Sequence, residues 1–300
     1  MAQSLILGYD VPMNTNFLQS PEWGKFQEQT GVKTRFFEVL GNQVQALIHP
    51  TALGDFWYVA HADISLEACN QLVTKAKAEK NVLFIRIEPQ TQLAILPKGA
   101  RIVKNRQPAE TVLLDLIKPV EEIFANMHQK TRYSIRQAEG KDLQISWEKN
   151  SNIFHELLTE TAARDNFNPH PQEYYAKMLA CPLAEQITIF LENKPLASAI
   201  FVGYQKTFTY LHSASSSEHR DAMASYLIQW TAIQHAKEKG FTIYDFWGVA
   251  PEGDENHSLA GVTRFKIRFG GMRYTFGQAF EVPIKTLKYR LFNFLKKLRV

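Results

Sequence analysis

The stretch ITIFLENKPLASAIFVGYQ (187–205) decides the fold, together with the three segments after it: TFTYLHSAS (207–215), AMASYLIQWTAIQHAKEKG (222–240) and TIYDFWGV (242–249). Apolar residues on both sides of Glu-Asn predict two strands meeting at a tight turn. A third strand, an amphipathic helix and a short buried strand come next. The same order occurs earlier, as TRFFEVLGNQVQALI (34–48) with a Gly-Asn turn, FWYVAHAD (56–63), SLEACNQLVTKAKAEKN (65–81) and VLFIRIEP (82–89). Even the wording echoes: VLGNQVQALI against FLENKPLASAI, and KAEKNVLFIR against KEKGFTIYDF. The chain is therefore read as a repeat of β-β-β-α-β.

The flanks extend the match. The later copy opens with a strand, LQISWEK (143–149), and two helices, NIFHELLTETAARDNF (152–167) and PQEYYAKMLACPL (171–183), and is expected to close with MRYTFGQAFEVP (272–283). The earlier copy opens with SLILGYDV (4–11) and the helix SPEWGKFQEQTG (20–31), and is expected to close with TVLLDL (111–116). An antiparallel meander followed by a helical crossover resembles the element order of the GNAT-type N-acyltransferase lobe. The expected fold is α/β with mixed sheets, as two tandem GNAT-like lobes; one large mixed sheet fits the repeat less well. Residues 119–139 read as one long helix joining the lobes, with Pro119 at its first position, apolar residues near the 3.6 period and Gly140 at its end. The predicted boundaries are 1–141 for the first lobe with its bridging helix, 142–282 for the second, and 283–300 for a basic amphipathic helix packed on the first lobe. No segment long enough for a coiled-coil arm is present.

Three hundred residues at 45% hydrophobic and 21% charged suffice for two cores of an ordinary globular protein. Two isolated cysteines, Cys69 and Cys181, suit a reducing compartment. The start has no basic leader region and no apolar run reaches membrane-span length, so the cytoplasm is the expected location. Charge is uneven: residues 264–300 hold ten Lys/Arg against Glu281 alone, a net +9, which leaves −5 for the rest. Such a tail suits an anionic partner, nucleic acid or an anionic membrane met peripherally, and equally a plain solvated helix.

The nine histidines show no metal-ligand spacing, and no nucleophile elbow, P-loop or GxGxxG is present, so neither metal nor cofactor is expected. An acyl-CoA lobe needs small residues in a pyrophosphate-cradling turn ahead of its crossover helix. The best frame here, Arg220-Asp221-Ala222-Met223-Ala224-Ser225, has Met223 and Ser225 where glycine or alanine is wanted. Asp245, in TIYDFWGV, is either a buried structural carboxylate or a cleft residue. Arg132 and Arg136, four apart in KTRYSIRQA (130–138), share a helix face; Arg136 is explained by a helix C-terminus, and Arg132 is the better candidate for a phosphate contact. Lys266 and Arg268 in TRFKIRFGG (263–271) are two apart, so that one faces a cleft and the other solvent.

FLQSPEWGKF (17–26), KTRYSIRQA, TAARDNF (161–167), TYLHSAS (209–215), KEKGFTIYDFWGV (237–249) and GVTRFKIRFGG (261–271), in that order, resemble the FemABX family of peptidoglycan interpeptide-bridge aminoacyltransferases. The resemblance implies transfer of an amino acid from aminoacyl-tRNA to the stem-peptide amine of a peptidoglycan precursor, either UDP-linked (UDP-MurNAc-peptide) or lipid-linked (lipid II). An acyl donor on tRNA would explain the unfit CoA cradle and suit the basic tail; a GNAT-like acyltransferase using acyl-CoA or another activated acyl donor is the alternative. It further implies Lys266 as the catalytic cation beside a developing oxyanion, Arg164 and Lys25 on the precursor phosphates, and Tyr210 lining the peptide channel. Two positions depart from the family pattern: Trp247 and Asn166 stand where glycine is usual.

Overall fold

The computed structural model describes residues 5–6, 9–10 and 16–298, which divide into two units: residues up to 109 together with 275 onward, and 110–274. The first unit holds β1 (Leu5–Ile6), β2 (Tyr9–Asp10), α1 (Pro21–Gln29), β3 (Lys33–Val39), β4 (Asn42–Thr51), β5 (Gly54–Ala62), α2 (Leu66–Ala78), β6 (Val82–Pro89) and β7 (Arg101–Ile102). The second runs through β8 (Glu110–Asp115), α3 (Val120–Asn126), α4 (Gln129–Glu139), β9 (Leu143–Ser146), α5 (Ser151–Asp165) and α6 (Gln172–Ala180). It continues with β10 (Ala184–Leu191), β11 (Lys194–Tyr204), β12 (Thr207–Ser215), α7 (Ala224–Glu238), β13 (Ile243–Asp245), α8 (Ala260–Ile267) and β14 (Met272–Thr275). The chain then returns to the first unit as β15 (Phe280–Pro283) and α9 (Thr286–Lys297).

The repeat is present as two mixed sheets, ordered β3-β4-β5-β6-β15-β7 and β14-β8-β13-β12-β11-β10-β9. In each, an antiparallel meander leads through a helix to a parallel strand: β5 beside β6, and β12 beside β13. Ser20 and Ser65 start α1 and α2 by accepting the Trp23 and Ala68 N–H groups, which leaves fewer orphan donors in the first turns. The hairpin turn of the later copy is Glu192-Asn193, as the sequence predicts, with both residues at positive φ. In the earlier copy Val39 pairs with Asn42, so the turn is Leu40-Gly41 rather than Gly-Asn. Both have the two positive-φ positions that match strand twist in a two-residue loop.

Two expectations need correction. The closing strands are partly exchanged: MRYT stays with the second sheet as β14, but TVLLDL becomes β8 and pairs antiparallel with β13 of the second unit, Tyr244 opposite Leu114. FEVP becomes β15 and pairs with β6 of the first, Val282 opposite Ile85. The division therefore falls at 109/110, with the C-terminal segment in the first unit, rather than at 141/142. An apolar strand pattern reports burial but not which sheet edge receives the strand.

The expected single helix over 119–139 is also two helices, broken where Met127 and His128 are extended (ψ 150° and 141°). His128 starts α4 by accepting the Lys130 N–H at Nδ1, and its own N–H donates to the Arg268 carbonyl. The apolar period runs across the break because Ile123, Met127, Ile135 and Ala138 all enter one core, that of the second unit. Neither helix is a free bridge between lobes.

Gly270 is what allows α8 to turn into β14 against the end of α3. Its φ is +90°, and a Cβ there would lie 2.9 Å from the Asn126 carbonyl oxygen. In the first unit, α9 is anchored by Tyr289, which packs on Leu83 and Phe84 and donates to Glu281 Oε2 at 2.6 Å. Arg86 donates to the other oxygen of that carboxylate at 2.9–3.0 Å. Gly270→Ala is expected to destabilise the fold by about 2 kcal/mol, from strain at positive φ plus the carbonyl clash, read as a lower urea midpoint.

Candidate active site

α8 carries Lys266 inward. The residue is 6% exposed, and its Nζ donates to the Gly248 carbonyl at 2.8 Å and the Trp247 carbonyl at 3.4 Å. The ring of Tyr210 lies beneath the ammonium, 5.5 Å from Nζ to its centroid. Arg268, two residues on, is exposed. An ammonium has three N–H donors and the described carbonyls take two, leaving one for whatever fills the adjoining space. Burial lowers the Lys266 pKa to about 8, against the pull of Asp245.

Asp245 ends β13 and is buried. Its Oδ1 accepts the Thr111 hydroxyl of β8 and, at 2.8 Å, the Trp247 N–H. Burial raises its pKa to about 6, while Thr111, the Trp247 N–H and Lys266 hold it down. Asp245 is thus a buried, hydrogen-bonded carboxylate, and its charge favours the protonated form of Lys266. Trp247 has φ +58°, a left-handed conformation that L-residues adopt at a cost. The bond from its N–H to Asp245 holds that turn, and the turn faces two successive carbonyls toward Lys266.

The left-handed conformation recurs. Asn166 ends α5 with φ +54°. Met223, at the glycine position of the acyl-CoA frame, has φ +57° and precedes α7. At all three positions the backbone keeps the shape glycine would supply while a larger side chain occupies the space. Met223 packs on the core of the second unit and also walls a cavity of about 230 Å³, with Ser215, Ser216, Arg220, Ser225 and Phe265 among its other walls.

Lys266 and Tyr210 line a second cavity of about 330 Å³ together with Phe167, His170, Tyr175 and His212. Ordinary strand alternation would aim only every other residue of β12 into it. The register slips between Ile200 and Phe201 of β11, so that Tyr210 opposes Phe201 and His212 opposes Ile200, with Leu211 as the extra residue. Through this bulge four consecutive residues, Tyr210 to Ser213, reach the cavity. Burial lifts the Tyr210 hydroxyl to about 12 and lowers His212 to about 4, with His170 adding to the latter, so both stay neutral near pH 7. His170 stacks on Tyr174 at 4.0 Å and Tyr175 meets His212 edge-on at 5.6 Å. Sequence reading passed over His170, Tyr175 and His212; the proximity of His212 to Tyr210 on one strand was the available signal.

The structure therefore brings together Lys266, Asp245 and Tyr210. Arg164 stands apart from this cavity wall. It donates to the Ser215 carbonyl at 3.1 Å and to the Asp165 carboxylate at 3.1 Å, knitting the end of α5 to the serine loop. Lys25 is exposed on α1 of the first unit. Arg132 donates from Nη1 to the Ala125 carbonyl at 2.7 Å and to the Met127 carbonyl, closing the C-terminal end of α3. Arg136 lies over the ring of Phe124 at 5.3 Å. Both arginines of KTRYSIRQA thus serve the junction of α3 and α4. Arg132→Ala is expected to cost about 1 kcal/mol of stability by freeing those carbonyls, with turnover unchanged, as measured by denaturation alongside activity.

Comparison with known proteins agrees with this geometry. The FemAB family model matches residues 98–191 and 181–297, more than half of the chain. Aminoacyltransferase FemA of Staphylococcus epidermidis is 29% identical over 105 residues, 35% of this chain and 25% of FemA. Aminoacyltransferase FemB of the same species is 31% identical over 104 residues, again 35% of this chain and 25% of FemB. The aligned stretch thus spans a quarter of these relatives' length. The crystal structure of FemX matches with a TM-score of 0.81 and 18% identity over 93% of this chain and 95% of FemX, a likeness of fold. On the family match, which includes α8 with Lys266 and the β12–β13 region, the chain belongs to the FemAB family.

Proposed function

We propose that the protein transfers an amino acid from aminoacyl-tRNA to an amine on the stem peptide of a peptidoglycan precursor. The observation that carries this reading is the buried Lys266 ammonium at a cavity wall, held by two carbonyls and favoured in its charged form by Asp245, with one N–H to spare. Family membership and the aminoacyltransferase relatives support the reaction class. The start of α7, with Met223 just before it and Ser225 in its first turn where an acyl-CoA cradle wants glycine or alanine, favours a donor other than acyl-CoA.

The neutral acceptor amine attacks the ester carbonyl carbon; a C–N bond forms and the carbonyl oxygen takes up negative charge. Lys266 donates its remaining N–H to that oxygen, a contribution of roughly 3–4 kcal/mol if it strengthens only as charge develops. The C–O bond to the tRNA ribose then breaks, and the proton lost by the amine ends on the leaving oxygen. No covalent enzyme intermediate is needed, and positioning of the two substrates supplies much of the rate. Asp245 keeps Lys266 charged. Tyr210 and His212, both neutral, shape the cavity without adding charge. Arg164, at the end of α5 beside the serine loop, binds precursor phosphate.

The direct test gives the purified protein mixed charged tRNAs and a UDP-linked or lipid-linked muropeptide and reads product mass. Transfer from acetyl-CoA but never from aminoacyl-tRNA would overturn the reading. Lys266→Ala is expected to lower turnover about 100-fold while leaving precursor affinity nearly intact. Turnover requires Asp245 ionised and Lys266 protonated, so it is expected to fall below a pH of about 6 and above about 8. In Lys266→Arg the alkaline limb moves upward, because guanidinium keeps its proton there.

A further inference from the structure

We propose that the outward face of α9 docks on an anionic lipid bilayer surface. Tyr289 is the one buried residue of this helix, and Phe292 packs beside it on Phe84. The opposite side is apolar and open to solvent: Leu287 is 80% exposed, Phe294 59% and Leu298 68%, with Leu291 and Leu295 exposed between them. At about 100° per residue these five side chains fall within an arc of roughly 100° centred opposite Tyr289. The stripe is thus turned away from the unit that anchors the helix.

Cations border it on both edges. Arg290 and Lys297 lie along one side and Lys288 along the other, all exposed. From residue 282 onward the chain contains six Lys/Arg and no acid. The last acid before it, Glu281, points inward to Arg86 and Tyr289. An apolar stripe between two basic rims has the charge and shape of a helix lying in a bilayer interface. Its leucines and phenylalanine enter the acyl boundary while its long cationic side chains reach anionic headgroups. A second copy is the poorer occupant, because pairing two such stripes brings basic rims together. Twelve helical residues lie along such a surface and do not cross it, and no helix among the described residues is long and apolar enough to span a membrane.

This surface stands apart from the transfer reaction, and its test reads binding only, so either proposal fails without the other. The full chain is sedimented with vesicles of phosphatidylglycerol and phosphatidylcholine, and with phosphatidylcholine alone. Binding is expected only with the anionic lipid and is expected to weaken as salt rises. The double substitution L287S/F294S is expected to reduce binding at least ~tenfold, with the thermal transition unchanged because both side chains are exposed. K288E/R290E is expected to reduce it comparably. Absence of sedimentation with anionic vesicles, or undiminished binding by L287S/F294S, overturns the proposal. A wild-type dimer in analytical ultracentrifugation that L287S/F294S returns to monomer assigns the face to a second copy instead.

Discussion

A buried ammonium must be surrounded by acceptors or lose its proton, and the second unit is arranged around meeting that demand at Lys266. Its acceptors are main-chain carbonyls of Trp247 and Gly248, so they are aimed only if the backbone turns sharply after β13. That turn puts Trp247 in the left-handed region, and the Asp245 carboxylate holds it there through the Trp247 N–H. Asp245 in turn is tied to Thr111 on β8. Strand β8, the β13 turn and helix α8 are thereby linked through one charge and its counter-charge.

The pairing of β8 with β13 acquires meaning in this light. Thr111 reaches Asp245 because β8, rather than a later segment, lies next to β13 in the sheet. The Gly-Gly after α8 serves the same end. Gly271 lets the chain pass against Val112 and Leu113 of β8, where a Cβ would come within 2.6 Å of the valine side chain. Close approach of α8 to the β8–β13 pair is what carries Lys266 to the carbonyls.

Much of the fold was legible in the sequence because periodicity is a local signal. The two β-β-β-α-β runs, their order and their helices can be read from apolar spacing and turn residues alone. Edge choice is not local, so the destinations of TVLLDL and FEVP were unreadable, and with them the unit boundary. The break at Met127 and His128 was hidden because both helices bury their apolar side in one core. At the site, the sequence named Lys266, Asp245 and Tyr210 one by one, but the contact of Lys266 with the Tyr210 ring and its charge coupling to Asp245 depend on the fold. The bulge at Leu211 concealed how many residues of β12 face the cavity. The spacing of Arg132 and Arg136 correctly placed them on one face, yet it could not reveal that this face looks onto the end of α3. Trp247, Asn166 and Met223 carry a related lesson. All three take the left-handed backbone, which asparagine adopts readily and which at Trp247 is held by the bond to Asp245, so side-chain size alone was no guide to backbone shape.

The exchanged closing strands bear on how the protein comes off the ribosome. Every strand of the second sheet is drawn from one continuous stretch, residues 110–275, whereas the first sheet keeps a place beside β6 for β15, which is made after all of the second unit. Domains that are contiguous in sequence form as units during translation. The unit begun first is therefore completed last: its central strand β6 waits with one edge unpaired while the unit bearing Lys266 is already able to close. Lys266 and the whole of the sheet it packs on thus precede in the chain the strand that completes the sheet of the first unit.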